Sequence, residues 1–552
     1  MCPIAVKRRE KEWWSHGVKY VMQISTQPSS TSFRGPEPDR ARLYDILALI
    51  VCLGVGLLSY SIGAPREVAN WGVETDFLGR DVGLAQNVLT GKPYMHQHYP
   101  PGYAYVLAGM SLLTHDFFKA GIIISVVAST LLGLVGYGIV STLFDRRLAL
   151  VTTLFVLLAL LPYSFVASTD VLANFLLLLP LWLFLRREPT MGVCVQSGLA
   201  AGLACLVRYN AVFLLVGILL ALLFWGPAED SIRQRVRKIV TFAAAALVVT
   251  TPWLLVNWQY HGHPFASDLH GQVAAHFFHP KGDGSPSSIE YMQRQYASYW
   301  DVFTYDPVHL GGRFLKDILH DRILKLSWDV IGFPAFLFAG AGMLLYLRDL
   351  TRSRLVFFMV CGGGYLLHGL AGFADRFYLF LYPLLFLFVS LAVIELGRVS
   401  LHLRETSRAW NVSWVLIAGL LFVSAYTSVS RVGYFLRTVP TYLLEAAEVL
   451  RGRAMSGDSI IGLKPHLAYL AKLNMEPLEG LKTIEDYVRR ARERNVRFIV
   501  YSALEESYFE GLHALRDPAR MPQEFRVVYE HVPTKTLVYE ITRPSNRQKP
   551  ME

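Results

Sequence analysis

Residues Pro100–Leu113 read PPGYAYVLAGMSLL, and whether this piece crosses a membrane decides how the rest of the chain is threaded. Its apolar part, 102–114, is 13 residues long, whereas a spanning helix needs about 20. Eleven further apolar runs read as spans: 42–62, 119–143, 148–165, 170–185, 191–207, 210–225, 239–256, 329–347, 355–371, 377–395 and 409–427. If 102–114 stays out of the count, five basic clusters fall on one side. They are Arg146/Arg147, Arg186/Arg187, Arg233/Arg235/Arg237/Lys238, Arg348/Arg352/Arg354 and Arg398/Arg404/Arg408. That side is then the cytoplasm, because short cytoplasmic loops carry the excess of Lys and Arg. If 102–114 crosses, all five lie outside. The stretch is therefore read as a helix lying in the outer interface, started by its two prolines.

The composition agrees with a polytopic membrane protein. Of 552 residues, 53% are hydrophobic and only 17% are charged, against ~25% in an ordinary soluble chain; the mean hydropathy is +0.34. The net charge of +10 sits in short loops between apolar runs, which fits membrane topology better than nucleic-acid binding. One of the five cysteines, Cys2, is in the N-terminal tail; Cys52, Cys194, Cys205 and Cys361 lie in apolar segments, so neither a disulfide framework nor a Cys-type zinc site is readable. Residues 1–41 are polar and basic and read as a disordered cytoplasmic tail without a signal peptide, with Met22 as an alternative start.

The expected fold is thus a polytopic α-helical membrane protein with about 11 transmembrane helices, N-terminus inside and C-terminus outside. The transmembrane module is 42–427. Outside lie the loop 63–118, a turn at 166–170, the loop 257–328 and the region 428–552. The last reads as a small extracytoplasmic α/β domain. Helical patterns at 441–453 and 482–494 alternate there with the strand-like runs DSIIGL, VRFIVY, FRVVYEHV and TLVYEI.

Glu74, Asp76 and Asp81 fall within eight positions of the first external loop. A solvated loop, or Asp76 as a helix cap, is the bland reading. The chemical reading is a general base or metal ligand, with a carboxyl group raised by desolvation at the bilayer surface. Asp170 stands at the outer mouth of the fourth span, as a cap or as a second acid at the same depth as Asp76. Arg208 and Arg376 lie at outer span ends. They are interface anchors or a phosphate clamp, with Lys92 and Arg80 as weaker candidates for the clamp. The loop 257–328 holds His261, His263, His270, His276 and His279, of which His276 and His279 can share a helix face as metal ligands. No P-loop and no serine-nucleophile elbow is present. No charged residue lies near the middle of a span, which argues against ion-coupled transport.

The order of these motifs resembles one family. Glu74-Thr75-Asp76 is similar to the modified Asp-x-Asp signature in the first external loop of GT-C glycosyltransferases. The following AQNVLTGKPY and YPPGYAYVLA resemble the same loop in bacterial members, among them relatives of the aminoarabinose transferase, the protein O-mannosyltransferases and the lipopolysaccharide-core galacturonosyl transferases. STDVLANFLLL, GLACLVRYNAVFLL, TPWLLVNWQYHGHPF and DRFYLFLYPLL resemble later landmarks, and GDSIIGLKPHLAYLA a C-terminal external domain. The resemblance covers 42–400 well and the C-terminal region loosely.

It implies an inverting enzyme of the cell (inner or plasma) membrane. Sugar would move from a polyprenyl-phosphate donor to an extracytoplasmic glycan, lipid or protein acceptor. Asp76 would be the base, Arg208 and Arg376 the phosphate clamp, and Asp170 would orient Asp76 or the acceptor. Glu74, with Asp76, would help bind a divalent metal (magnesium or manganese), which some members use. The pair Asp76-Phe77 departs from the Asp-Glu of the mannosyltransferase branch, so the sugar is not inherited from that branch. The alternatives are a transporter or flippase of lipid-linked sugars, for which no inverted repeat is visible, and a non-catalytic assembly protein acting through its C-terminal domain.

Overall fold

The structure, a computed structural model, describes residues 38–542 apart from Pro93, 95–98, Ala228, 280–285, 371–373, 404–409, 477–482, Asn495 and 504–514. The expected tail 1–41 lies outside the described residues up to 37, and its last residues already belong to the first helix. Each of the eleven apolar runs contains a helix among its described residues. We label these helices α1 (Pro38–Gly63), α2 (Phe117–Leu143), α3 (Arg146–Ser164), α4 (Asp170–Leu185), α5 (Met191–Val207), α6 (Val212–Phe224), α7 (Ile232–His261), α8 (Phe333–Arg348), α9 (Arg352–His368), α10 (Tyr382–Leu403) and α11 (Trp410–Arg437).

Among the described residues, length and apolarity together single out six helices able to cross a bilayer, or seven if the bent pair ending in α8 is one span; α4, α5 and α6 (from Tyr209) are shorter apolar helices. The protein is multi-pass, and the count of eleven is not established. The bend before α8 is 115°. Gly332 makes it possible by adopting φ 81°, and the helix restarts with Pro334 in its first turn.

Small residues set how closely the helices approach. A Cβ on Gly198 of α5 would lie 2.4 Å from the Phe242 carbonyl oxygen of α7, and one on Gly202 would lie 2.7 Å from the Ala246 oxygen. Glycine spaced by four residues leaves a flat strip on which the backbone of the neighbouring helix rests. Phe155 of α3 and Phe386 of α10 stack at 5.7 Å in the largest apolar core.

The decisive stretch forms a helix at Gly102–Thr114 with Pro101 at its N-cap. Tyr103, Leu107 and Ala108 are buried against α2 and its surroundings, while Tyr105, Leu112 and Leu113 are exposed. An apolar outer face on a helix too short to span is the geometry of an interfacial element.

The region after α11 is an α/β unit, as its alternating patterns imply, but α11 continues to Arg437, ten residues past the expected end of the last span. Five strands, β1 (Ser459–Ile461), β2 (Asn474–Glu476), β3 (Val496–Tyr501), β4 (Phe525–His531) and β5 (Thr536–Ile541), form one sheet in the order β2-β1-β3-β5-β4. β1 pairs in parallel with β2 and β3, and β5 runs antiparallel to both β3 and β4. β2 is too short and polar to have shown a strand pattern. The helix His466–Ala471 brings this unit down onto the segment between α1 and α2. His466 Nε2 lies 3.1 Å from the Ala69 carbonyl oxygen. Tyr469 donates to Asp116 Oδ1 at 3.2 Å and accepts from the Phe118 amide at 3.2 Å.

Candidate active site

The loop after α1 turns at Gly72 (φ 78°) into a short helix, Val73–Asp76, that runs on through a wider π turn, Phe77–Asp81. Side chains two apart on a helix point about 160° away from each other, and that separates the two acids of Glu74-Thr75-Asp76. Asp76 is exposed and lines a cavity of 190 Å³. Glu74 is fully buried behind it.

Glu74 is saturated. Its carboxylate takes both terminal nitrogens of Arg66, one at 3.0 Å and the other in a closer contact, and accepts the amides of Asn70 at 2.6 Å and Ala167 at 2.8 Å. The Arg66 guanidinium is in turn walled by the rings of Phe435, Phe118 and Phe165 at 4.8, 5.2 and 5.9 Å. Hence Glu74 and Asp76 share no donor set for a cation: the first anchors the loop and only the second faces the cavity. Asp76 makes no cap hydrogen bond and has no hydrogen bond or ion pair among the described residues.

Across the cavity, Asp170 is buried at the start of α4 between two arginines. Arg208 contacts Asp170 Oδ1 closely and donates to Thr169 Oγ1 at 3.2 Å, and Arg376 Nε lies 3.1 Å from Asp170 Oδ2. Both guanidiniums also stand over the ring of Phe377, at 4.7 Å for Arg208 and 5.0 Å for Arg376. Asp170 therefore caps no helix end and does not touch Asp76; it aims the two arginines. Asn174, one turn along α4, donates to the Asp170 and Arg376 carbonyls at 2.8 and 3.1 Å and accepts the Phe380 amide at 2.9 Å. It fastens the segment Asp375–Leu381 to α4.

Arg80 and Asp81 also line the cavity. Arg80 grips Asp81 with two hydrogen bonds, 2.7 and 2.9 Å, and its guanidinium covers Tyr99 at 3.8 Å. Burial pushes the Asp81 carboxyl above the ordinary range, with Arg80 pulling the other way. Of the two cavity-lining acids of the loop, Asp81 is buried and Asp76 is exposed. Lys92 is exposed and lies outside the cavity lining.

His276 and His279 make separate contacts: the His279 ring stands against Tyr291, with centroids 6.2 Å apart. His276 Nε2 binds Asp317 at 2.8 Å, and burial lowers its imidazole against that hydrogen bond. Asp317 also receives the fully buried Arg322 at 3.0 Å. Among the described residues no three His, Cys, Asp or Glu side chains converge on one point.

A second cavity, of 560 Å³, adjoins the first and shares Val73, Ser168, Asp170 and Arg376 with it. Its own walls include Trp71, Tyr163, Tyr426, Tyr434 and Arg431. The Asp170–Arg376 pair is the partition. Sequence reading missed Arg66, Phe377, Asn174 and this second cavity. Only Asn174, a polar residue inside an apolar run, left a local signal.

Comparison with known proteins follows the same outline. The family model for dolichyl-phosphate-mannose-protein mannosyltransferase matches residues 98–256, less than a third of the chain. A lipid A galacturonosyltransferase, RgtD of Rhizobium johnstonii, is 28% identical over 163 residues, 29% of this chain and 33% of that protein; the match thus spans about a third of the relative. The structure of ArnT from Cupriavidus metallidurans bound to undecaprenyl phosphate superposes with a TM-score of 0.52 at 14% identity, covering 92% of this chain and all of that one. That of the Archaeoglobus fulgidus oligosaccharyltransferase AglB, in complex with an inhibitory peptide and a dolichol-phosphate, gives 0.53 at 13% identity over 85% of this chain and 71% of that one. The chain has the GT-C glycosyltransferase fold, as the ordered motifs implied.

Proposed function

We propose that this chain is an inverting membrane glycosyltransferase that moves a sugar from a polyprenyl-phosphate donor to an extracytoplasmic acceptor. The observation that carries the reading is the opposition of Asp76, an unpaired carboxylate, to the Arg208–Asp170–Arg376 cluster across one cavity.

The chemistry needs little else. A polyprenyl-phosphate sugar is a phosphodiester; when its anomeric C–O bond breaks, the departing lipid phosphate gains a second negative charge. Two guanidiniums already aimed by Asp170 and Phe377 meet that charge without reorganising. Because phosphate leaves without being protonated, no general acid is required, unlike the paired acids of glycosidases. Asp76 takes the proton of the acceptor hydroxyl as its oxygen bonds to the anomeric carbon from the face opposite the phosphate, which inverts that centre.

The two adjoining cavities suit two substrates that meet at the partition. ArnT binds undecaprenyl phosphate and AglB a dolichol-phosphate, which supports a lipid-phosphate donor here. The aromatic walls of the larger cavity suit the faces of sugar rings. Placing the site outside the cytoplasm rests on the basic loops at the other ends of the helices.

The test uses the purified chain in lipid with radiolabelled polyprenyl-phosphate sugars and an envelope acceptor fraction. Transfer by wild type, lost in Asp76→Asn, is the expected result. Equal transfer by both overturns the role of Asp76. Movement of donor between leaflets with no covalent transfer overturns the enzyme.

A further inference from the structure

A third cavity, of 330 Å³, lies at the far end of α4. α4 has 16 residues from Asp170 to Leu185, so about 24 Å of helix separates this cavity from the candidate active site at ~1.5 Å per residue. It is on the side of the basic loops, opposite the substrates. Phe184, Leu185 and Val356 give it an apolar floor that continues into the helix bundle, and Arg186, Arg187 and Arg352 line its polar part together with Glu188.

The positive charge here is only partly answered. Arg187 and Arg352 have no hydrogen bond or ion pair among the described residues. Arg186 is held in place by the Trp182 ring at 5.0 Å and by Gln196 at 3.3 Å, both uncharged, and its Nε is buried without a partner. Behind Arg352 the guanidinium of Arg235 adds to the field. Arg235 is fixed on the carbonyls of Leu223 and Pro227 at 3.0 and 3.2 Å, which hold it without cancelling its charge. On the acidic side, Asp230, Glu188 and Glu229 all act on Arg352; Asp230 is also paired with Lys238 at 2.5 Å, so three carboxylates face four arginines and a lysine.

The start of α9 adds to this. Thr351 accepts only the Arg354 amide, at 3.4 Å, so the amides of Arg352 and Ser353 are left at the positive end of a 17-residue helix. A concave site with apolar floor, surplus guanidinium charge and free helix amides is built for an anion whose other end is greasy. Snorkelling alone would send the arginine heads separately into the headgroup region; here two loops bring them into one hollow.

We propose that this cavity binds a phosphate group, supplied by the headgroup of an anionic phospholipid in the leaflet on the basic side. Free phosphate has the same chemistry without the apolar tail, and the experiment separates the two. The inference does not depend on the proposed reaction.

The test is the thermal transition of the delipidated full chain in detergent at constant ionic strength, with dioleoylphosphatidylglycerol, dioleoylphosphatidylcholine or sodium phosphate added. Wild type and the double variants Arg187→Gln/Arg352→Gln and Arg187→Lys/Arg352→Lys are compared. The expected result is a rise in Tm of several degrees with phosphatidylglycerol only, cut by more than half in the glutamine variant and kept in the lysine variant. An equal rise in wild type and glutamine variant overturns the site. A full rise with sodium phosphate alone overturns the lipid as its source. If the glutamine variant does not fold, counting bound phosphatidylglycerol on Arg352→Gln by native mass spectrometry decides, and retention of the wild-type number overturns the proposal.

Discussion

Arg376 Nε lies 3.1 Å from Asp170 Oδ2, and this contact makes the wall between the two cavities. Asp170→Asn keeps the shape and removes the charge that holds both arginines. We expect donor KM to rise and kcat/KM to fall about 10- to 100-fold, ~1.4–2.8 kcal/mol, in steady-state transfer assays. A fall in kcat with donor KM unchanged would instead place Asp170 on the acceptor.

The two acids of Glu74-Thr75-Asp76 should separate cleanly. Asp76→Asn is expected to lower kcat about 10²–10⁴-fold while donor binding persists. Glu74→Gln leaves the Arg66 charge buried among aromatic rings, at a cost of ~3 kcal/mol or more, so its mark is a lowered Tm and poor membrane accumulation. Paired thermal and turnover measurements on the two variants test this directly.

Lys92 lies outside the cavity lining, so Lys92→Gln should leave transfer within about twofold of wild type, as an exposed charge away from the reacting groups does. A tenfold loss would show that the donor reaches beyond the cavity.

Docking of the C-terminal unit should depend on pH through His466. Its Nε2 meets the Ala69 carbonyl, its Nδ1 is buried without a partner, and burial, with Lys464 nearby, lowers its pKa from 6.5 to about 4. The released imidazole binds more protons than the docked one between those values. Stability is therefore full above about 6.5 and is lost as pH falls toward 4, by at most roughly 3 kcal/mol. Limited proteolysis of the C-terminal unit at pH 7.5 and pH 5 should show the difference, and His466→Gln should flatten it.

Hydropathy and loop charge made the helices legible because a spanning segment must be apolar along its whole length, whatever its neighbours are. The strands β3, β4 and β5 were legible from their runs of branched and aromatic residues. What could not be read is which carboxylate pairs with which arginine. Glu74 and Asp76 look equivalent in sequence, and only the helical turn beneath them sends one inward and the other out. Arg66 gives no local sign of its burial, because the rings around it come from positions 118, 165 and 435. Arg208 and Arg376 were found as candidates, but the ring they share, Phe377, is one aromatic among many until the chain is folded.

The contact of His466 with Ala69 joins residues 397 positions apart, and it braces the loop that presents Asp76. Synthesis runs the other way: the loop is made well before its brace. A nascent chain can thus seat its apolar helices in the bilayer long before the loop that carries Asp76 is braced, and a chain cut short after α11 would be a membrane protein with that loop unsupported. The later unit thus fixes, through a segment made 397 residues afterwards, a loop that entered the chain before any of the helices α2 to α11.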